Sequence, residues 1–357
     1  MKQTVSTQIL EKDNNIERAF GPFFLSLDSI RPYLLNPNLK DSELVHLIQE
    51  MSSKFTKRRD QIGDYVLDED LVSAYASLYL PTNIPKLHFL LSMLSDEIIQ
   101  DLKHRPLIDI GCGPGTFALG WSLLFETPPK DLICVDSSRM MLMQTEKILR
   151  GFFPEVNLKT QTKYVEKNTE SVLFYGHSIN EMGIQKAQDQ IMTIDPEYVI
   201  WIEPGTSELF QDLKRLRTSL LDSYDIIYPC PSSAGCPSSW CHQVLRTSHE
   251  QSVERLSQLV SLDRKILPMT AHVYKRKTNL PASDMATIIR YLTETKFSFE
   301  YEVCVHEDGH NKNVIIEIQK KHLNKQLEKK FKNLNVGEKI KFKIDKVVGA
   351  KYRVQLV

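Results

Sequence analysis

The sequence predicts an α/β fold, a parallel sheet with helices on both faces, in a chain of 357 residues. Three observations carry the prediction. Leu107 to Ile110 is a short apolar run that breaks into the glycine turn DIGCGPGT and then into a helical pattern with Phe117, Leu119 and Trp121. A second apolar run, Leu132 to Val135, ends at Asp136, twenty-one residues after Gly115. Strand and helix patterns then alternate to about residue 222, as repeated βα units do.

A strand, a glycine turn and a helix bring backbone amides and a helix N-terminus up against a ligand. Gly111, Gly113 and Gly115 leave no Cβ where that ligand approaches, and Asp109 stands two residues before the turn. An acid at the tip of the second strand, here Asp136, is placed to hold two ribose hydroxyls. Pro114 occupies a spacer position that the dinucleotide fingerprint G-x-G-x-x-G does not offer it. The set resembles the first motif of class I methyltransferases that use S-adenosylmethionine (SAM). That resemblance implies a Rossmann-like class I SAM-dependent methyltransferase sheet. It also implies that the amides around the three glycines face the amino acid part of SAM, with Asp136 at its ribose.

Composition sets bounds on the rest. With 45 basic and 45 acidic residues the chain has no global field that draws it to nucleic acid. Its start, MKQTVSTQILEKDNN, is polar and lacks a signal-peptide core. No apolar run reaches the roughly 18 residues of a membrane span. The expectation is a protein without a membrane segment, in a reducing compartment, where the six cysteines serve as thiols or ligands.

Taken in order, residues 1–98 read as a helical N-terminal domain. Leu44, Leu47, Ile48 and Met51 form one amphipathic stripe, and Leu87, Leu90, Leu91 and Leu94 another. Residues 99–320 read as the methyltransferase-like domain. In it Met140 to Leu149 is a helix, and Val156 to Thr160, Ser171 to Tyr175 and Tyr198 to Ile202 are strands. Asn180, Glu181 and Glu203 fall at strand ends, where such sheets hold ligands, and are candidates only by position. The catalytic group itself is unknown. Phe297 to Val305 and Val314 to Ile318 read as a hairpin that closes the sheet with an antiparallel edge. Residues 321–357 form a basic module: Lys320 to Lys346 holds ten lysines against Glu328, Glu338 and Asp345. Lys339, Lys341 and Lys343 alternate with Ile340, Phe342 and Ile344, a strand with one basic face. Aromatic residues are sparse there, so the pattern favours contact with the backbone of folded RNA over base stacking.

Between about 226 and 250 lies a cysteine-rich insertion. Cys230, Cys236 and Cys241 sit in a Pro/Ser/Gly-rich loop, which is no core pattern, and metal ligation explains it best. Their spacing is not the two-residue gap of common zinc knuckles. A cubane cluster needs four ligands. His242, His249 and Cys304 are candidates for the fourth, and counting alone leaves iron–sulfur and zinc both open. Cys112 belongs to the glycine turn, and Cys134 reads as a packed core thiol.

The order DIGCGPG, INEM, IEPGT and PCP-x4-CP-x3-WCH is similar to a methyltransferase-like family of small-ribosomal-subunit assembly factors, with mitochondrial and bacterial members. The likeness covers roughly residues 60–320, including YLPTNIP. It implies binding to small-subunit rRNA during assembly and a [4Fe–4S] cluster on Cys230, Cys236, Cys241 and Cys304, with zinc as the alternative. No targeting peptide is evident, so the expectation is a cytoplasmic member of bacterial type, monomeric when free. Two functions compete: a SAM-dependent methyltransferase with rRNA or a ribosomal protein as acceptor, and a non-catalytic RNA-binding factor whose SAM site is vestigial or regulatory.

Overall fold

The computed structural model describes residues 25–57 and 68–357, so the polar start read above lies outside the described residues. The chain divides into two compact units. Of the described residues, the first holds those from 25 to 202 together with Arg246–Leu267, and the second holds Glu203–Leu245 and Pro268–Val357.

The first unit contains five strands: β1 (Leu107–Ile110), β2 (Leu132–Val135), β3 (Leu158–Gln161), β4 (Val172–Gly176) and β5 (Tyr198–Pro204). They lie in the order β3-β2-β1-β4-β5, every neighbouring pair parallel. This is the doubly wound order, with its switch point between β1 and β4. Continuous apolar runs build it because β1 and β2 are buried at every position. The helix Thr116–Leu124 follows β1 and is buried on almost every side.

Helices precede the sheet. Glu69–Ser92, capped by Asp68, is 24 residues long and buries most of its length, with Pro81 and Pro85 inside it. The helix Asp41–Lys57 sets Leu44, Ile48 and Met51 against Val72, Ala74 and Leu78 of that long helix, as the stripe predicts. Leu256 and Val260, at the end of the helix Gln251–Leu259, complete this core.

The second unit holds β6 (Tyr224–Tyr228), β7 (Gln243–Arg246) and β8 (Ile266–Arg276), with β8 paired to both others. It also holds a six-stranded sheet. Its strands are β9 (Ala286–Glu294), β10 (Ser298–Glu307), β11 (His310–Gln319), β12 (Lys339–Ile340), β13 (Phe342–Val348) and β14 (Lys351–Leu356). Their order is β12-β9-β10-β11-β14-β13, around a core of Ile288, Phe299, Tyr301, Ile316, Phe331 and Val354. The hairpin expected to edge the first sheet, β10–β11, belongs instead to this one, where β9 and β14 flank it. Alternation along a strand reports which side is buried and not which strand will pair.

Over 226–250 no metal-binding insertion is evident among the described residues. The segment completes β6, runs through a loop and enters β7, where Gln243 accepts from the Ala271 amide at 2.7 Å.

Candidate functional site

The glycine turn lies at the carboxyl end of β1, beside the switch point. Gly111, Gly113 and Gly115 have φ of +68°, +54° and +83°, left-handed values that an L side chain resists. A Cβ on Gly111 would stand 2.4 Å from the Ser178 Cβ, whose hydroxyl donates to the Ile110 carbonyl at 2.7 Å. Around Gly113, by contrast, nothing lies within 4 Å of a Cβ. The turn is tight against β4 at one end and open at its apex.

The amides of the turn are already engaged. Gly111 and Cys112 donate to the Val135 carbonyl, Gly115 to the Cys112 carbonyl, and Gly113 to Asp136 Oδ2 at 2.9 Å. These four amides thus have partners within the chain. The first intrahelical bond runs from Leu119 to Gly115 at 2.8 Å. The N–H groups of Thr116, Phe117 and Ala118 precede it, and they are the donors at this helix N-terminus.

Two carboxylates meet here. Asp136 accepts from Gly113 and, through Oδ1, from the Ser138 amide at 2.9 Å. Burial raises its pKa, and those two amides pull it back. Each of its oxygens keeps a lone pair for a hydroxyl donor. Asp109 is sealed beneath the turn, 1% exposed, and neither of its oxygens meets a hydrogen-bond donor. Burial pushes it up to about 7; the nearby Ala118 amide lowers it, and Asp136 raises it further. A ligand at Gly113 would meet Asp136 and the helix N-terminus directly. Asp109 would be reached only through the turn.

Of the positional candidates, Asn180 and Glu181 sit exposed in the short helix Ile179–Met182 after β4. The surrounding chain, and then Asp136, push Glu181 up to about 7, a push that its contact with solvent tempers. Glu203 is fully buried in β5.

Sequence reasoning missed a polar cluster on the long helix. Lys86 Nζ donates to His177 Nε2 at 3.0 Å, and His177 has φ +62° just after β4. Burial, with Lys86 and Arg264 nearby, holds the imidazole pKa well below its usual value, so the ring is a neutral acceptor. Arg264 reaches Thr82 Oγ1 at 3.1 Å and Asn83 Oδ1 at 2.8 Å, with its guanidinium over the Tyr79 ring. Phe117 at the turn stacks on His177. Polar residues in the midst of YLPTNIPKL were the available signal.

In the second unit the thiols of Cys230, Cys236, Cys241 and Cys304 come near enough to act on one another. Burial raises the Cys241 pKa well above its usual value, and the other three raise it further. Cys230 is raised by burial and pulled down by Arg217, a 2% exposed side chain that donates to the Ala234 carbonyl at 2.6 Å. The set has the donor chemistry of a four-thiolate cluster. It does not have the geometry: among the described residues no group of three or more His, Cys, Asp or Glu could hold a metal ion. The Nε2 of His249 donates to the Arg264 carbonyl at 2.6 Å. His242 stacks on the exposed Trp240. Cys134 is fully buried, as a packed core thiol, and Cys112 lies beside it.

Known proteins add the following. A family described as "Mitochondrial small ribosomal subunit Rsm22" matches residues 70–341. This overturns the cytoplasmic placement expected from the sequence, since lack of an apolar signal core says nothing of a transit peptide, which is amphipathic and polar. No curated protein matches the chain. Among solved structures, a candidate RNA methyltransferase, PH1948 from Pyrococcus horikoshii, is 12% identical over 61% of this chain and 87% of its own, with a TM-score of 0.36. Protein 1320 of Thermoplasma acidophilum is 13% identical over 56% and 97%, at 0.34. TrmK of M. capricolum, solved with S-adenosyl-homocysteine, is 13% identical over 53% and 73%, at 0.31. At such scores these likenesses carry no argument, and the SAM-methyltransferase-type α/β fold rests on strand order and family. No helix among the described residues is long and apolar enough to cross a membrane. A match that spans most of the chain, with the glycine turn, nearly all of the long helix and Cys230, Cys236, Cys241 and Cys304 inside it, decides the family: the chain belongs to the Rsm22 family of the mitochondrial small ribosomal subunit.

Proposed function

We propose that this chain is a SAM-binding factor of the mitochondrial small ribosomal subunit, acting on its rRNA during assembly. The open apex of the turn at Gly113, with Asp136 at the tip of β2 and a helix N-terminus beside it, is the observation that carries the reading. Bound there, SAM would supply an electrophilic methyl group. Asp136 would accept from ribose hydroxyls while its two amide bonds hold it still. The amides of Thr116 and Phe117 would face the carboxylate of the amino acid part. Asp109 is a positioning residue that shapes the turn from below. Glu181, the exposed carboxylate nearest in kind to a base, would take a proton from the acceptor if the reaction releases one.

Methyl transfer and simple binding differ in one experiment. Small ribosomal subunits from cells lacking this protein are incubated with radiolabelled SAM and protein purified without oxygen. Label in the rRNA of those subunits, absent with subunits from the parent cells, establishes an enzyme. Particle binding without label establishes an assembly factor that keeps the fold. Gly113→Arg fills the open apex, so we expect SAM affinity to fall on the order of tenfold or more while the residue's φ costs only about 1 kcal/mol of stability. Unchanged affinity would remove the turn from the site.

A second element of the proposal, a [4Fe–4S] cluster or zinc on Cys230, Cys236, Cys241 and Cys304, rests on the family resemblance and on the donor chemistry of the four thiols alone. Formation of the site from its present arrangement requires the raised thiols to deprotonate, which Arg217 assists at Cys230. Iron, sulfide and zinc are measured on the same preparation. Metal that is absent, or present equally in Cys241→Ser, rejects it.

A further inference from the structure

The two outermost elements of the six-stranded sheet are halves of one extended segment. β12 and β13 are separated by Lys341 alone. β12 pairs antiparallel with β9, Lys339 opposite Thr287 and Ile340 opposite Ala286, while β13 pairs antiparallel with β14. The sheet therefore closes on itself. With the split segment counted once it is a five-stranded barrel: a meander β9-β10-β11, a helix, then the hairpin β13–β14. The last strand lies parallel to the third, Ile315 to Ile318 against Lys351 to Val354. The helix Lys325–Lys332 sits between third and fourth strands and sends Phe331 into the core. This connectivity is that of the OB fold, a small barrel whose outer face and hairpin loops hold oligonucleotides in many unrelated proteins. Fold alone assigns no ligand, so the side chains must.

Register sets the faces. Ile316, Ile318 and Val354 point into the core, so their strand neighbours point out. One outward row runs Glu300, Glu317, Arg353, Lys346 from β10 to β13, and the next runs Glu302, Ile315, Lys351, Val348. Lys343 stands opposite Gln355. Acids thus occupy β10 and β11, and cations occupy β14 and β13. The acids are consumed by β14: Lys351 binds Glu300 at 2.6 Å and Arg353 binds Glu317 at 3.2 Å. Lys343 and Lys346 are exposed, with no ion pair among the described residues, and Asp345 at the bulge between them is the sole acid in β13. On the other side of the hairpin Ile344 and Val347 emerge past the core, 47% and 58% exposed.

We infer that the β13–β14 hairpin is an RNA-contact arm, with the outward-facing Lys343 and Lys346 on phosphates. This rests on the small-subunit reading above, and it goes beyond the family match, which ends at residue 341, before β13 begins. Charge favours RNA over protein as the occupant. A neutral chain with an unpaired cationic strand binds polyanions locally, through counterion release.

Binding of the full chain to transcribed small-subunit rRNA is measured by anisotropy across a range of KCl concentrations. In the double variant Lys343→Glu, Lys346→Glu affinity should fall on the order of tenfold, and the slope of log K against log salt should shrink by about two. The neutral pair Lys343→Gln, Lys346→Gln should fall less with the same change in slope. Lys325→Glu with Lys329→Glu alters net charge equally on an exposed helix and should leave the slope as it was. Equal loss in that control would make the effect one of global charge and overturn the arm. So would unchanged binding in the arm variants, which leaves the small-subunit reading intact if the parent binds rRNA. Arm variants that keep rRNA but lose assembled subunits place a protein on the hairpin and overturn the RNA assignment. A parent that binds neither rRNA nor subunits ends both readings. Since both lysines are exposed, an unchanged near-UV spectrum is expected and separates lost contact from lost fold.

Discussion

Asp109 shows what one buried carboxyl does to the whole chain. Its pKa is raised from 3.8 to about 7 in the folded protein, chiefly by burial. The folded state therefore keeps a proton that the unfolded chain releases from about pH 4 upward. Stability falls with pH wherever the native state binds more protons, so this group lowers stability progressively between about pH 4 and 7 and no further above that. The whole fall is on the order of a few kcal/mol. Asp109→Asn removes the titration, so its urea midpoints at pH 5 and pH 8 should lie closer together than those of the parent. Midpoints that separate as widely as before would show that the slope comes from elsewhere, Asp136 being the first suspect. The residue was legible in the sequence as part of the turn; its depth beneath it was not.

At the scale of elements, close approach decides more than propensity. Gly205 follows β5 with a backbone so near β8 that a Cβ would lie 2.7 Å from the Met269 nitrogen and 3.0 Å from the Pro268 carbonyl carbon. Both obstacles are main chain and cannot rotate away. Gly205→Ala should cost about 2 kcal/mol or more, read as a lower chemical midpoint with an unchanged slope. A loss below about 0.5 kcal/mol would mean the strands separate more easily than their packing suggests. The same scale explains what the sequence did and did not disclose. β1, β2 and the glycine turn were readable because buried parallel strands are local apolar runs. The β10–β11 hairpin was readable as a hairpin and assigned to the wrong sheet, since its neighbour β9 was not read as a strand and β14 comes only after a helix. Lys339 to Ile344 read as one strand, and the break at Lys341 that closes the barrel has no local signature. The Lys86–His177 contact spans 91 residues and could not be inferred from either end. Cysteine spacing suggested ligands, but spacing carries no three-dimensional geometry, and among the described residues no group of three or more His, Cys, Asp or Glu could hold a metal ion.

At the scale of the molecule, two compact units each have a core of their own and each a candidate binding surface. A ligand protects chiefly the backbone whose opening would release it, and it stabilises only states that bind it. S-adenosyl-homocysteine, the unreactive product, should therefore slow amide exchange around Leu107–Leu119 and Asp136–Thr145 and leave the barrel, Ala286–Leu356, exchanging as before. Small-subunit rRNA should do the reverse and slow β13 and β14. Independent footprints would mean that occupancy of the turn does not gate the arm, so a variant blind to SAM, such as Gly113→Arg, should still load onto subunits. If S-adenosyl-homocysteine instead slows exchange in β13, the two ligands share a coupling free energy, and by reciprocity rRNA must tighten cofactor binding by the same factor. The methyl donor would then act as a signal for loading, whether or not its methyl group is transferred.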